Sequence, residues 1–176
     1  NISPGGIQKW VTDQWPQHRI KGNQQINFAF NHSDTDQRVR VTVYQTTSGT
    51  SLALRLLSKL PPAPEVLRQP KFLSQLSPFA KGLVLVTGPT GSGKSTTLAS
   101  WLNAAQMQHP AHFVTIEDPI EYEFSQGQGL VHQCELGTHF ANHESALSDV
   151  LRRDPDVILL GELRDLVSVE LALRAA

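Results

Sequence analysis

Cysteine is nearly absent: Cys134 is the single one in 176 residues. One thiol can close no internal disulfide and build no multi-cysteine zinc site, which favours a reducing compartment. Long apolar runs are missing too. The longest, Leu83–Val86 and Val157–Leu160, are four residues each, far short of the roughly 20 needed to span a bilayer as a helix. No excess of one charge exists over the whole chain, whose net charge is −1. Hydrophobic residues make up 39% and charged residues 18%, which excludes wholesale disorder and allows a packed core. The length suits one domain, or one domain and a smaller piece. The chain starts at Asn1 with no charged-then-apolar leader pattern and stops inside an apolar helical pattern, Leu171 to Ala176. It reads as a segment cut at both ends.

The near-neutral total hides an asymmetry. Residues 1–80 hold nine Lys/Arg against four acids, a charge of +5, and residues 81–176 hold six against twelve, a charge of −6. A basic piece joined to an acidic piece suggests two parts with different tasks. The basic part could face nucleic acid, or a phosphate bound on a neighbouring copy, or it could be ordinary solvated charge.

Local patterns give the organisation. Ile7 to Trp15 suits a short helix. Ile26–Phe30 and Val39–Tyr44 alternate apolar with polar, as half-buried strands do, and the polar turn between them predicts a hairpin. Ser51–Leu57 could be strand or helix. Three prolines among Pro61–Pro64 forbid regular bonding and mark a boundary, giving parts at 1–60, a linker at 61–80 and a second domain at 81–176. Beyond it, Leu83–Val86 between Gly82 and Gly88 reads as a strand buried on both faces. Helical spacing covers Ser95–Met107 and Glu144–Arg153. Phe113–Ile116 and Val157–Leu160 read as two more buried strands, and Asp165 can cap a last helix from Leu166. Alternating strands and helices predict an α/β fold with a parallel sheet.

Gly88-Pro89-Thr90-Gly91-Ser92-Gly93-Lys94-Ser95 fits the pattern G-x-x-x-x-G-K-[ST]. The glycines let the backbone bend so that its N–H groups converge on an anion. The loop feeds a helix N-terminus, whose exposed donors and dipole favour negative charge. Thr96 extends that first turn. Lys94 can reach the β- and γ-phosphates and Ser95 can ligate Mg²⁺. The motif alone does not separate ATP from GTP.

Carboxylates follow two of the expected strands. Gly161-Glu162 follows Val157–Leu160, at the strand end where open parallel sheets bind ligands. Glu162 could polarise the attacking water or hold Mg²⁺ through water. Gly161 stands where many nucleotide hydrolases have Asp. Thr115-Ile-Glu117-Asp118-Pro-Ile-Glu121-Tyr122 places three carboxylates after Phe113–Ile116. Such a group beside phosphate can position water, accept its proton or bind Mg²⁺. Glu117 lies nearest the strand end and ranks first. His132, Cys134, His139 and His143 match no tight zinc spacing and read as loop. Trp10, Trp15, Phe28 and Phe30 are expected in a core, since no nucleic-acid motif surrounds them.

Three segments together resemble the secretion and pilus motor ATPases. They are the stretch Gly88 to Thr97, the stretch Thr115 to Tyr122, and Leu151-Arg-Arg-Asp-Pro-Asp-Val-Ile-Leu-Leu-Gly-Glu-Leu-Arg-Asp165. Within that group the chain is similar to the PilT-type twitching-motility ATPases that retract type IV pili. Gln37 to Gln45, Leu54 to Leu57 and His132 to Leu136 lean the same way. The resemblance implies a RecA-like P-loop motor domain after a partial PAS-like α+β domain. It implies ATP hydrolysis with Mg²⁺, a homohexamer, and attachment to a pilus or secretion platform protein at the cytoplasmic face of the inner membrane. It further implies that Arg38, Arg40 and Arg55 approach nucleotide held by a neighbouring subunit. The family's first strand, expected before Ile7, and its histidine box, expected after Ala176, fall outside the chain. An assembly or type II export ATPase, a non-hydrolysing nucleotide-binding partner, and a nucleic-acid translocase are the alternatives; no nucleic acid is expected.

Overall fold

A computed structural model describes residues 4–16, 25–35, 37–68 and 81–176. Part of the expected linker, residues 69–80, lies outside them. The chain divides into two compact units, residues 1–59 and 60–176.

In the first unit, helix α1 (Pro4–Gln14) precedes strands β1 (Ile26–Asn31), β2 (Arg38–Thr46) and β3 (Gly49–Leu57). The strands form an antiparallel sheet in the order β1-β2-β3. Period-two alternation decides the faces. Val39, Val41 and Val43 are buried with Phe28 and with Val11 of α1, and the alternate residues of β2 point the other way. Ser51–Leu57, which local pattern left open, is a strand because β2 supplies a full antiparallel partner along it. Trp15 packs on Phe28 and Phe30, with ring centroids 5.1 and 4.6 Å apart. Trp10 corrects the core expectation: it stacks edge-on against Trp15 yet remains 40% exposed.

The second unit holds α2 (Lys94–Gln108), β4 (His112–Glu117), β5 (Leu130–Glu135), α3 (His143–Val150), β6 (Val157–Leu160) and α4 (Leu166–Ala175). A 3₁₀ turn, Leu151–Arg153, ends α3. The sheet is parallel throughout, in the order β5-β4-β6. Central β4 is covered on both faces, which is why it reads as a near-continuous apolar run. Phe113 packs with Leu102 and Ala105 of α2 and with Ala111. Val114 and Ile116 pack with Cys134 of β5 and with Ala146, Leu147 and Val150 of α3. Asp165 caps α4 as expected, accepting from Ser168 N at 2.7 Å. Of the described helices, none is long and apolar enough to cross a membrane.

Three expectations need correcting. Leu83–Val86 forms no strand and is not buried: Leu83, Val84 and Leu85 are 42, 54 and 61% exposed. A strand needs a partner along its polar edge, and among the described residues this segment pairs with none of β4, β5 and β6. Val157–Leu160 is a strand, but half-buried rather than buried. Residues around His132 and Cys134, expected as loop, form β5, because β4 offers a parallel edge in register.

Candidate functional site

The glycine-rich loop owes its shape to backbone freedom that other residues lack. Gly91 and Gly93 have φ of 79° and 90°, in the left-handed region that side chains resist. Gly88 has φ of 154°, and a Cβ there would lie 2.8 Å from Ser92 Oγ, which would have to rotate away. Gly93 is the N-cap of α2, and no side chain caps that helix or places an acid in its first turn. The first turn of a helix carries N–H groups without intrahelical partners. An end capped by a left-handed glycine and lacking any acid suits an external anion. Lys94 Nζ donates to Gly88 O and Pro89 O, both at 2.9 Å, so its ammonium lies folded over the mouth of the loop. Pro89, Thr90, Ser92 and Ser95 are exposed.

At the carboxyl end of the sheet two strands bring their acids side by side. Ile116 pairs with Leu160, and Gly161 N donates to Ile116 O at 2.8 Å. Glu117 and Gly161-Glu162 are therefore neighbours across the ladder. The glycine has a spatial reason: a Cβ at 161 would meet Ile116 O at 3.3 Å and Glu117 Cα at 3.5 Å. An Asp at this place would need the Ile116 carbonyl to give by a few tenths of an ångström, while its contact with Glu117 Cα would be an ordinary one.

Glu117 is half-buried and well held. Its Oε1 accepts from Thr115 Oγ1 at 2.6 Å and from Gln133 Nε2 at 3.2 Å, and the backbone N–H of Glu121 also donates to the carboxylate. Burial raises its pKa above the ordinary value, outweighing the donors that favour the charged form, and the nearby Glu121 carboxylate adds to the rise. A carboxylate shifted upward at a strand end is suited to accept a proton near neutral pH.

Glu162 meets Arg164 Nε at 2.6 Å, and Arg164 also lies 3.7 Å from Asp118 Oδ2. One guanidinium thus ties the end of β6 to the turn after β4. Arg164 was not among the residues expected from sequence, although a base two positions after an acid was the available signal. Gln133 and Tyr122 also escaped. Gln133 escaped because β5 was read as loop, Tyr122 because its hydroxyl acts across 26 positions, on Thr96 Oγ1 at 3.1 Å.

The first unit places Arg38, Arg40 and Arg55 on one sheet face, opposite the valine core. Arg40 and Arg55 are cross-strand partners, an arrangement of like charges that costs stability unless an anion is shared. Arg38 is buried and donates to Asn31 Oδ1 at 3.0 Å, so it is tied into its own unit. The four candidate metal ligands disperse. His132 bonds His112 at 2.9 Å, His139 accepts from Glu135 N, and Cys134 is buried near Arg153. Among the described residues no group of three such side chains could hold a metal.

A glycine-rich loop feeding a helix that has no side-chain cap, with carboxylates at the ends of parallel strands, defines an α/β unit whose loop–helix junction favours an anion. The family model described as type II/IV secretion system protein matches residues 10–176, and the chain belongs to that family. It is similar to a protein of Escherichia coli (strain K12) named "Uncharacterized protein YggR", 43% identical over 97% of this chain and 52% of that protein. It is 42% identical to a twitching motility protein of Neisseria gonorrhoeae, over 99% of this chain and 47% of that one. A crystal structure of the pilus retraction motor PilT with bound ADP superposes with a TM-score of 0.81 at 39% identity, covering 97% of this chain and 47% of that one. The chain spans about half the length of these relatives. The mixed α/β fold with its parallel sheet is shared with that motor.

Proposed function

We propose that the full-length protein is an Mg²⁺-dependent ATPase, a hexameric motor subunit for type IV pilus retraction. The observation that carries this reading is the loop–helix junction: left-handed Gly91 and Gly93, an acid-free α2 start, and Lys94 poised over the loop. Similarity to a pilus retraction motor crystallised with ADP supports the choice of nucleotide and task. On this reading the second unit is RecA-like and the first is the end of a PAS-like domain. The backbone N–H groups of residues 88 and 90–96 would hold the phosphates, Lys94 would neutralise them, and the Ser95 hydroxyl would be the side chain offered to Mg²⁺, with Glu162 available to its water.

The chemistry of this chain's own residues follows. Glu117, with a raised pKa and three donors fixing it, orients the attacking water and accepts its proton. Glu162 holds the opposite side of that water or the metal's water shell. Arg40 and Arg55 supply positive charge to a neighbouring subunit's nucleotide, a contribution worth about 10³–10⁵ in rate when an arginine is provided in trans. Partners on this reading are five further copies and a platform protein at the cytoplasmic face of the inner membrane.

The test is hydrolysis by the full-length protein with Glu162→Gln and Glu117→Gln. Each substitution keeps size and removes one charge, so nucleotide affinity should persist while kcat falls. Unchanged hydrolysis in both would overturn the assignment of the carboxylates. A salt-independent failure to bind DNA, set beside retained ATP turnover, separates the motor from a translocase.

A further inference from the structure

One chain of hydrogen bonds joins the phosphate loop's helix to Glu117, and its members are not required by the loop motif. Thr96 Oγ1, in the first turn of α2, bonds the Tyr122 hydroxyl at 3.1 Å. The Tyr122 carbonyl accepts from Gln133 Nε2 at 2.8 Å, and the same amide donates to Glu117 Oε1 at 3.2 Å. Gln133 Oε1 in turn accepts from Phe124 N at 3.4 Å. The amide of Gln133 is bonded at both ends, so its orientation is determined by the Tyr122–Phe124 backbone. Any shift of that backbone is passed to the carboxylate. The backbone is anchored through the Tyr122 ring to Thr96, one residue beyond the Ser95 of the loop motif.

We propose that Tyr122 and Gln133 are positioning residues that transmit the state of the phosphate loop to Glu117. When phosphate draws in the first turn of α2, Thr96 carries the Tyr122 hydroxyl with it, and Gln133 resets the Glu117 carboxylate for the attacking water. The inference rests on the reading that Glu117 acts on that water. It assigns no role in binding phosphate to either residue. A hydrogen bond that orients a reacting group acts on the chemical step, whereas a merely structural contact changes stability or affinity. Other titratable groups around Glu117 are Asp118 and Glu121 in the same turn, Cys134 and Glu135 of β5, and Glu162 after β6. All of them remain in every variant below.

The experiment uses the full-length protein, a fluorescent ADP analogue as binding probe, and steady-state hydrolysis across pH. Tyr122→Phe removes one hydroxyl, and Thr96→Val removes its partner from the other side. Each should lower kcat about fivefold, the rate equivalent of one ordinary net hydrogen bond, with KM and analogue affinity within threefold of the parent. The double variant should be no slower than the slower single, since both break the same bond. Gln133→Met should lower kcat and move the acidic limb of its pH profile upward, because a donor to the ionised Glu117 carboxylate is lost. Parental kcat in Tyr122→Phe, additive losses in the double variant, or a change confined to KM would each overturn the proposal. Glu117→Gln, run alongside, separates two failures. If it hydrolyses normally, the reading of Glu117 itself is wrong. If it is inactive while Tyr122→Phe is parental, the linkage alone is wrong.

Discussion

Lys94→Ala should separate two roles of one side chain. In this structure the ammonium makes two hydrogen bonds, to Gly88 O and Pro89 O, each at 2.9 Å. Both lie at the exposed surface, where water replaces a lost donor, so their loss should destabilise the fold by about 1 kcal/mol or less. For a unit of this size that is a fall in Tm of roughly 2–6 °C. Binding should suffer more. A charge-assisted bond to phosphate contributes about 1.5–3 kcal/mol, which is roughly a 10- to 150-fold weaker Kd at 1.4 kcal/mol per decade. The assay is a titration with fluorescent ADP analogue and a melt of the same sample. A variant that melts within that range yet binds the analogue within threefold of the parent would refute the placement of phosphate at this loop. A Tm drop of 15 °C would instead show that Lys94 is a structural brace, and the reasoning from exposure would be wrong.

Further outcomes follow from other parts of the structure. Glu117→Gln should raise Tm in a pH-dependent way. The folded-state pKa of Glu117 lies above its model-peptide value of 4.5, so its favourable contribution is present below that value and is lost as pH rises through the folded pKa. The variant's advantage in Tm should be small in acid and grow toward neutral pH, and a difference flat across pH 4–8 would contradict the burial of the charge. Gly129→Ala should cost about 1–3 kcal/mol, because the new Cβ would lie 2.7 Å from Phe113 Cε2 and 2.9 Å from His109 O; a melt unchanged within 1 °C would show that the loop relaxes freely. In full-length protein, Lys94→Ala and Arg40→Ala should each be nearly inactive, and mixed rings should regain part of the hydrolysis; proven subunit exchange with no recovery would remove Arg40 from the shared site.

The sequence by itself determined the features that depend on local bonding. A loop that needs left-handed backbone selects Gly91 and Gly93, a helix that needs a cap selects Asp165, and a strand covered on both faces reads as the apolar run of β4. Such requirements act within a few residues, so spacing records them. What the tertiary structure decided depends on partners distant in the chain. Leu83–Val86 has the composition of a buried strand, but among the described residues no neighbour completes its ladder, and Leu83, Val84 and Leu85 stand in solvent. Residues 130–135 mix apolar and polar residues beside glycines that suggest a loop, yet they form β5 because the edge of β4 accepts them in register. Gly161 lies close against the Ile116 carbonyl, 45 positions away. Arg164 bridges Glu162 to Asp118, and Gln133 reaches both Tyr122 and Glu117. These contacts are between side chains and backbone brought together by strand order, and a one-dimensional pattern carries periodicity and spacing but not which edge meets which.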